Sequence, residues 1–131
     1  MSSIFSKIIA GEIPCHKVAE DEHHLAFMDI NPNAVGHTLC IPKKETDKLF
    51  DLAEEEYIAL MAFSRKVALA VEQAVPCKRI GLSVIGLEVP HAHVHLSPIN
   101  SVHDLNFAKA KSSITHEELA VIAQKINANF N

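Results

Sequence analysis

Three histidines at alternate positions, His91, His93 and His95, are the residues whose types and spacing could do chemistry. In a β-strand their imidazoles would share one face, while the small or branched apolar residues between them packed on the core. Spacing alone leaves three uses open. The imidazoles could hold Zn²⁺ with an open position for water. One could attack a phosphorus or acyl centre while its neighbours move protons. In the third, the histidines belong to a polar face of the sheet and do no chemistry.

Composition limits the class of protein. The chain has 131 residues, of which 48% are hydrophobic and 21% charged, so we expect a single domain over residues 1–131. The formal net charge is −4 and no basic run exceeds Lys43-Lys44, which argues against a nucleic-acid partner. The opening residues contain only the short apolar run Ile8 to Ala10. We therefore expect a cytoplasmic protein without a membrane partner.

The cysteines Cys15, Cys40 and Cys77 are odd in number and widely separated. This pattern fits neither a disulfide framework nor a Cys-x-x-Cys metal site. We expect reduced thiols, at least two of them buried.

Periodicity and turn residues predict the elements that position the histidines. "SIFSKIIAG" predicts a short helix, and "HTLCIPKK" predicts a strand that ends at Pro42. Two short strands, Lys17 to Glu20 and His24 to Met28, would form a hairpin. The apolar spacing from Glu54 to about Val75 predicts one long amphipathic helix.

The second half continues with strands and a final helix. "RIGLSVIG" predicts a buried strand, and the histidine strand follows the loop "GLEVP". We expect an irregular excursion from Pro98 to Ser113. The capping box Thr115-His116-Glu117-Glu118 then opens a terminal helix over about 115–129. These elements favour an α+β fold with a mainly antiparallel sheet.

The motifs resemble a known family. "HAHVHLS" resembles the His-φ-His-φ-His-φ-φ signature of the histidine triad (HIT) superfamily, with a polar last position. "SIFSKIIAGEIP" and "LAFMDINPNAVGHTLCIPKK" resemble the histidine triad nucleotide-binding proteins, also described as purine nucleoside phosphoramidases. The likeness covers Ser3 to about Ser97, which suggests a core over 3–98 and a C-terminal extension. It implies a homodimer of five-stranded subunits with two main helices, binding AMP or a similar purine nucleotide without a cofactor.

The resemblance also implies a mechanism. His93 would attack the α-phosphorus of a nucleoside 5′-phosphoramidate or related conjugate, and water would hydrolyse the resulting nucleotidyl-histidine. His91 would orient His93 through its backbone carbonyl. His95 would be a proton donor or relay, which His37 would extend. No metal is required for this chemistry.

The resemblance assigns nucleotide contacts as well. Asp29 matches a carboxylate that accepts hydrogen bonds from both ribose hydroxyls. Five apolar residues match base-pocket positions: Phe5, Ile13, Phe27, Ile30 and Leu39. Backbone N–H groups near the triad would complete phosphate binding.

Two departures from the family pattern matter. Gly86-Leu87-Glu88 stands where the family has Gly-Gln-Ser or Gly-Gln-Thr, so the hydroxyl that helps hold the phosphate is lost and Ser83 is the candidate substitute. Pointing inward, Glu88 would repel the phosphate; it could instead face outward, bind an amine leaving group or alter substrate choice. Ser3-Ile4-Phe5-Ser6 replaces the Cys-x-x-Cys zinc site of some bacterial members, so we expect no zinc there.

The sequence thus predicts a histidine triad hydrolase of nucleoside phosphoramidates. Two alternatives stay open. One is a zinc-dependent hydrolase that uses the three histidines as ligands, and the other is a nucleotide-binding or scaffold protein with little turnover.

Overall fold

A computed structural model of the chain describes residues 2–107 and 113–131. The described elements are, in chain order, α1 (Ile4–Ile9), β1 (Lys17–Glu20), β2 (His24–Met28), β3 (Thr38–Pro42), α2 (Glu54–Ala74), β4 (Arg79–Ser83), β5 (Val94–Ile99) and α3 (His116–Ala128). Short 3₁₀ helices lie at Leu49–Asp51 and Val102–Leu105. No helix in the described ranges is both long and apolar enough to span a membrane.

The strands form one sheet in the order β1-β2-β3-β5-β4, and every neighbouring pair is antiparallel. The predicted α+β fold with a mainly antiparallel sheet is therefore confirmed. In this sheet β5 lies between β3 and β4, with His95 opposite Leu39 on one side and Ser83 on the other. His95 thus lies on a strand that is paired on both sides.

The sheet separates two apolar clusters. Helices α2 and α3 cover one face, where Val94 and Leu96 of β5 join the larger cluster. Helix α1 covers the other face through Phe5. The smaller cluster on that face comprises Phe5, Leu25, Phe27, Leu39 and Ile41. Alternation along β5 therefore anchors the strand to the main core and turns His95 to the α1 side.

Several elements match their predictions closely. Strands β1 and β2 pair as a hairpin with the predicted bounds, and β3 ends at Pro42. At α3 the Thr115 hydroxyl accepts a hydrogen bond from the Glu118 N–H at 3.1 Å, while the Glu118 carboxylate accepts from the Thr115 N–H at 3.3 Å. The reciprocal bonds satisfy two backbone donors that a helix start would leave unpaired.

Three expectations were wrong in part. β4 is not buried, because it lies at the sheet edge and only Gly81 within it is buried. β5 begins at Val94, so only one histidine of the three lies on the strand. The preceding segment is held instead by the Ala92 N–H, which donates to the carbonyl of Thr46 at 2.7 Å.

The cysteines are the third such expectation. All three are free thiols, but only Cys40 is buried, whereas Cys15 and Cys77 are partly exposed. Burial of Cys40 raises the pKa of its thiol to about 12. Residues 108–112 of the predicted excursion lie outside the described ranges.

Candidate active site

His93 is oriented by the backbone of His91. Its Nδ1 lies 2.6 Å from the His91 carbonyl oxygen, which can only accept a hydrogen bond. Nδ1 therefore carries the proton, and Nε2 of a neutral His93 carries the lone pair. This is the nitrogen that could attack an electrophile.

His91 is held at both ring nitrogens. Its Nε2 donates to the Pro42 carbonyl at 2.7 Å, so Nδ1 of the neutral ring accepts a hydrogen bond from the Ser3 hydroxyl at 2.8 Å. The ring is fully buried, and this burial lowers the pKa of His91. The first histidine of the row is therefore fixed as a neutral ring.

Hydrogen bonds also determine which ring nitrogen carries the proton in His37 and His95. The Asn33 N–H donates to Nδ1 of His37 at 3.0 Å, which places the proton of neutral His37 on Nε2. That Nε2 lies 3.0 Å from Nδ1 of His95 and donates to it. The proton of neutral His95 must then be on its own Nε2.

The rings of His93 and His95 are adjacent, with their centroids 4.9 Å apart and an angle of 66° between the ring planes. The site therefore offers a nitrogen lone pair on one ring and an N–H on the next. Both residues are less than 10% exposed, which strengthens electrostatic interactions with a bound group. Phe5 packs edge-on against His93 at 5.0 Å, and Phe107 packs against His95 at 4.9 Å. The arrangement suits nucleophilic attack with proton donation to a leaving group.

A metal ion held by all three histidines does not fit these contacts. Both nitrogens of His91 are directed at Ser3 and Pro42, and Nδ1 of His93 is directed at a carbonyl. Among the described residues, the group whose ligand atoms lie close enough to hold a metal is Asp29, His37 and His95. The zinc alternative with three triad ligands is thereby disfavoured on geometry.

Asp29 lies beside this relay, where the chain turns after β2. Its Oδ2 is 3.6 Å from Nε2 of His37, and its Oδ1 accepts a hydrogen bond from the Asn31 N–H at 2.8 Å. The side chain is 20% exposed, so the carboxylate is reachable from solvent. A carboxylate in this position has acceptor capacity for a sugar hydroxyl.

The predicted apolar contacts divide into two groups. Phe5, Phe27 and Leu39 pack together in the smaller cluster, with the two phenyl centroids 5.5 Å apart. Ile13 is partly exposed and Ile30 is 59% exposed, and neither belongs to that cluster. The structure brings the first three together as a wall beside the histidines.

The two departures from the family pattern differ in their surroundings, because Ser3 and Ser6 lie against His91 while Leu87 and Glu88 are exposed. Ser83 stands opposite His95 in the β4–β5 ladder, and its buried hydroxyl has no hydrogen-bond partner within the described chain. Glu88 is exposed, and Leu87 is 90% exposed. Gly86 has a φ of 71°, which turns the loop there in a conformation that favours glycine.

Sequence reasoning missed five residues of the site. Four of them contact the histidines, namely Ser3, Ser6, Asn33 and Phe107, and the fifth, Glu45, accepts hydrogen bonds from the two serines. Asn33 acts through its backbone N–H, which has no residue-type signal. The serines and Glu45 come from positions far from the triad in sequence, and only the Ser-x-x-Ser spacing of α1 could have pointed to them.

Comparisons with known proteins identify the family. The family model described as "HIT domain" matches residues 10–102. An adenosine 5′-monophosphoramidase of Schizosaccharomyces pombe is 34% identical over 133 residues, covering 99% of each chain. An uncharacterised HIT-like protein of Methanocaldococcus jannaschii is 42% identical over 105 residues, covering 72% of this chain and 77% of its own.

Among solved structures, a HIT-like protein from Bartonella henselae superposes with a TM-score of 0.86 at 34% identity, covering 98% of this chain and 96% of its own. The match of the family model, the relatives and the fold all point to one conclusion. The chain belongs to the histidine triad (HIT) family.

Proposed function

We propose that the chain hydrolyses nucleoside 5′-phosphoramidates or related nucleotide conjugates through a nucleotidyl-histidine at His93. The observation that carries the proposal is the pair of adjacent rings, one with its lone pair on Nε2 and the other with its proton there. The activity named for the Schizosaccharomyces pombe relative supports the substrate class. We further propose that residues 1–131 form one catalytic domain.

In the first step Nε2 of His93 attacks the α-phosphorus, and the bond from phosphorus to the leaving nitrogen breaks. The departing nitrogen takes the Nε2 proton of His95, and a proton from solvent replaces it, while the Nε2–H of His37 keeps Nδ1 of His95 as an acceptor along their 3.0 Å contact. In the second step water attacks phosphorus and releases a proton to solvent. The bond to His93 breaks, and the products are the amine and a nucleoside monophosphate.

Nucleotide binding is assigned to the residues around this centre. Asp29 would accept hydrogen bonds from the ribose hydroxyls. The wall of Phe5, Phe27 and Leu39, with Ile13 and Ile30 at its exposed margin, would contact the base. Ser83 would donate to the phosphate from its place beside His95. Glu88, being exposed, would contact a cationic leaving group instead of opposing the phosphate.

We also infer a homodimer formed through β4 and α2. Leu69 of α2 and Ile80 of β4 line one surface depression, and Leu69 and Leu82 are each nearly half exposed. An edge strand with exposed apolar side chains is a place where a second copy can pair. The occupant would be the same surface of another subunit.

The test is single-turnover mass spectrometry with an adenosine 5′-phosphoramidate in the presence of a chelator. Wild-type protein is expected to show an adenylyl adduct, and His93→Ala is expected to show neither adduct nor product. His23→Ala is the matched control, because His23 is a histidine whose side chain is 77% exposed.

Each other result would overturn a named part of the proposal. Product formation that stops on chelation and returns with zinc would favour a metal-dependent hydrolase. Binding of AMP without adduct or product in wild type would favour a binding or scaffold role. An adduct in His93→Ala would place the nucleophile elsewhere.

A further inference from the structure

Four side chains from three segments form a hydrogen-bonded cluster behind the histidine row. Ser3 and Ser6 come from α1 and its N-cap, Glu45 follows β3, and His91 precedes β5. The Ser3 hydroxyl lies 2.8 Å from Nδ1 of His91, and the Ser6 hydroxyl lies 3.5 Å from the same atom. We call these four residues the clamp.

Glu45 ties the α1 side of the clamp together. Its Oε1 accepts hydrogen bonds from the Ser3 N–H and the Ser6 hydroxyl, both at 2.7 Å. These hydrogen bonds lower the pKa of Glu45 to about 2, so the carboxylate is charged at neutral pH. Because the Ser6 hydroxyl donates to Glu45, the Ser3 hydroxyl is the donor to His91.

The clamp leads directly to the proposed nucleophile. His91 is held by Ser3 at Nδ1 and by the Pro42 carbonyl at Nε2, and its own carbonyl accepts from Nδ1 of His93. Phe5 lies between the two serines on α1 and packs against the rings of both His91 and His93. Holding α1 thus fixes the hydrogen bond and the ring contact that orient His93.

We propose that Ser3, Ser6 and Glu45 are positioning residues for His93, acting through His91 and Phe5. The inference rests on the proposed nucleophilic role of His93. A histidine that swings away from its attack geometry loses rate even when its substrate remains bound, and displacements of about 1 Å can cost up to roughly 100-fold. Disrupting the clamp should therefore slow adenylylation more than it weakens nucleotide binding.

The variants are Ser3→Ala, which removes the donor to His91, and Glu45→Ala, which removes the acceptor on α1. Glu45→Gln keeps an acceptor oxygen and should recover most of the rate. Ser2→Ala and Glu22→Gln are matched controls, because Ser2 is exposed and the Glu22 side chain is 88% exposed. The measured quantities are the rate of adenylyl-His93 formation, the Kd for AMP and the melting temperature.

We expect Ser3→Ala and Glu45→Ala to form the adduct about 10- to 100-fold more slowly, with the Kd for AMP changed by less than about threefold. Equal losses of rate and binding, or rates within about twofold of wild type in both, would overturn the proposal. If wild-type protein forms no adduct, the proposed function is wrong. The effect of the clamp on the orientation of His93 is then tested by a measurement that needs no substrate.

That readout is the ¹⁵N shift of the imidazole nitrogens in the protein without ligand. In Ser3→Ala, Nδ1 of His91 is expected to lose its hydrogen-bonded shift, and the Nδ1–H signal of His93 is expected to broaden through faster exchange with water. Unchanged His93 signals in a folded Ser3→Ala protein would show that the clamp does not reach the nucleophile.

Discussion

Nε2 of His37 lies 3.0 Å from Nδ1 of His95, and this contact determines which nitrogen of His95 carries a proton. Replacing His37 with leucine removes the donor, so the proton of His95 is no longer confined to Nε2. A hydrogen bond worth about 1–1.5 kcal/mol corresponds to about a tenfold loss of rate. We expect that loss with an amine leaving group, which needs a proton.

The same variant distinguishes a loss of proton transfer from a general loss of active-site structure. With a 4-nitrophenolate leaving group, which departs without a proton, the rate of His37→Leu should stay within about twofold of wild type. His23→Leu is the exposed control. Equal losses with both leaving groups would argue against a relay.

Asp29→Asn should weaken nucleotide binding through the ribose. Hydrogen bonds to a charged group are worth about 1.5–3 kcal/mol, which corresponds to roughly 10- to 100-fold in the Kd for AMP. The Kd for 2′,3′-dideoxy-AMP should be nearly the same in wild type and variant. Calorimetry with both ligands measures this, with the exposed Asp47→Asn as control. A similar loss for both nucleotides would remove Asp29 from the ribose site.

Zn²⁺ should inhibit the enzyme at the relay. The ligand atoms of Asp29, His37 and His95 lie within 4.8 Å of one another, and a metal there would displace the proton between the two imidazoles. Inhibition should be reversed by a chelator and should weaken in Asp29→Asn. Undiminished inhibition of that variant would place the metal at another site.

The low pKa of Glu45 predicts a pH dependence of stability. Its folded pKa is about 2 against an ordinary value of 4.5, so the carboxylate stabilises the fold above pH 4.5 and this contribution is lost as the pH falls toward 2. The difference in free energy of unfolding between wild type and Glu45→Gln should therefore shrink over that range. Urea titrations at several pH values measure it. A difference that stays constant over this pH range would contradict the assignment.

Leu69→Glu and Leu82→Glu should disrupt the inferred dimer. Each places a charge on a surface that the second subunit would cover, and burying an unpaired charge is costly. Sedimentation equilibrium should show a dimer for wild type and a monomer for either variant. Phe50→Glu, at an 86% exposed position on the 3₁₀ helix, is the control. A monomeric wild-type protein would refute the dimer directly.

The elements set by local pattern were predictable. The hairpin, β3 and α2 follow from alternation, turn residues and helical spacing, and the capping box of α3 lies within four residues. Contacts between distant segments left no such signal. The Ala92 N–H donates to Thr46 rather than to a ladder, so β5 starts later than the histidine spacing indicates. The exposure of β4 depends on its edge position, which periodicity does not give.

The candidate site divides in the same way. The four histidines and Asp29 could be chosen from residue type and resemblance. The hydrogen bonds of the clamp join residues that are 42 and 88 positions apart in the sequence. The ring nitrogen that carries each imidazole proton depends on backbone carbonyl and N–H groups, which leave no signal in residue type. Those parts required the three-dimensional structure.

Neighbouring residues of β5 face opposite sides of the sheet. Val94 and Leu96 pack on the side of α2 and α3, while His95 faces the side of α1. Mutations at the two apolar positions should therefore act on protein abundance, and mutations at His95 should act on turnover. Selection can then adjust substrate preference on one side of the sheet without eroding the margin of stability that the other side supplies.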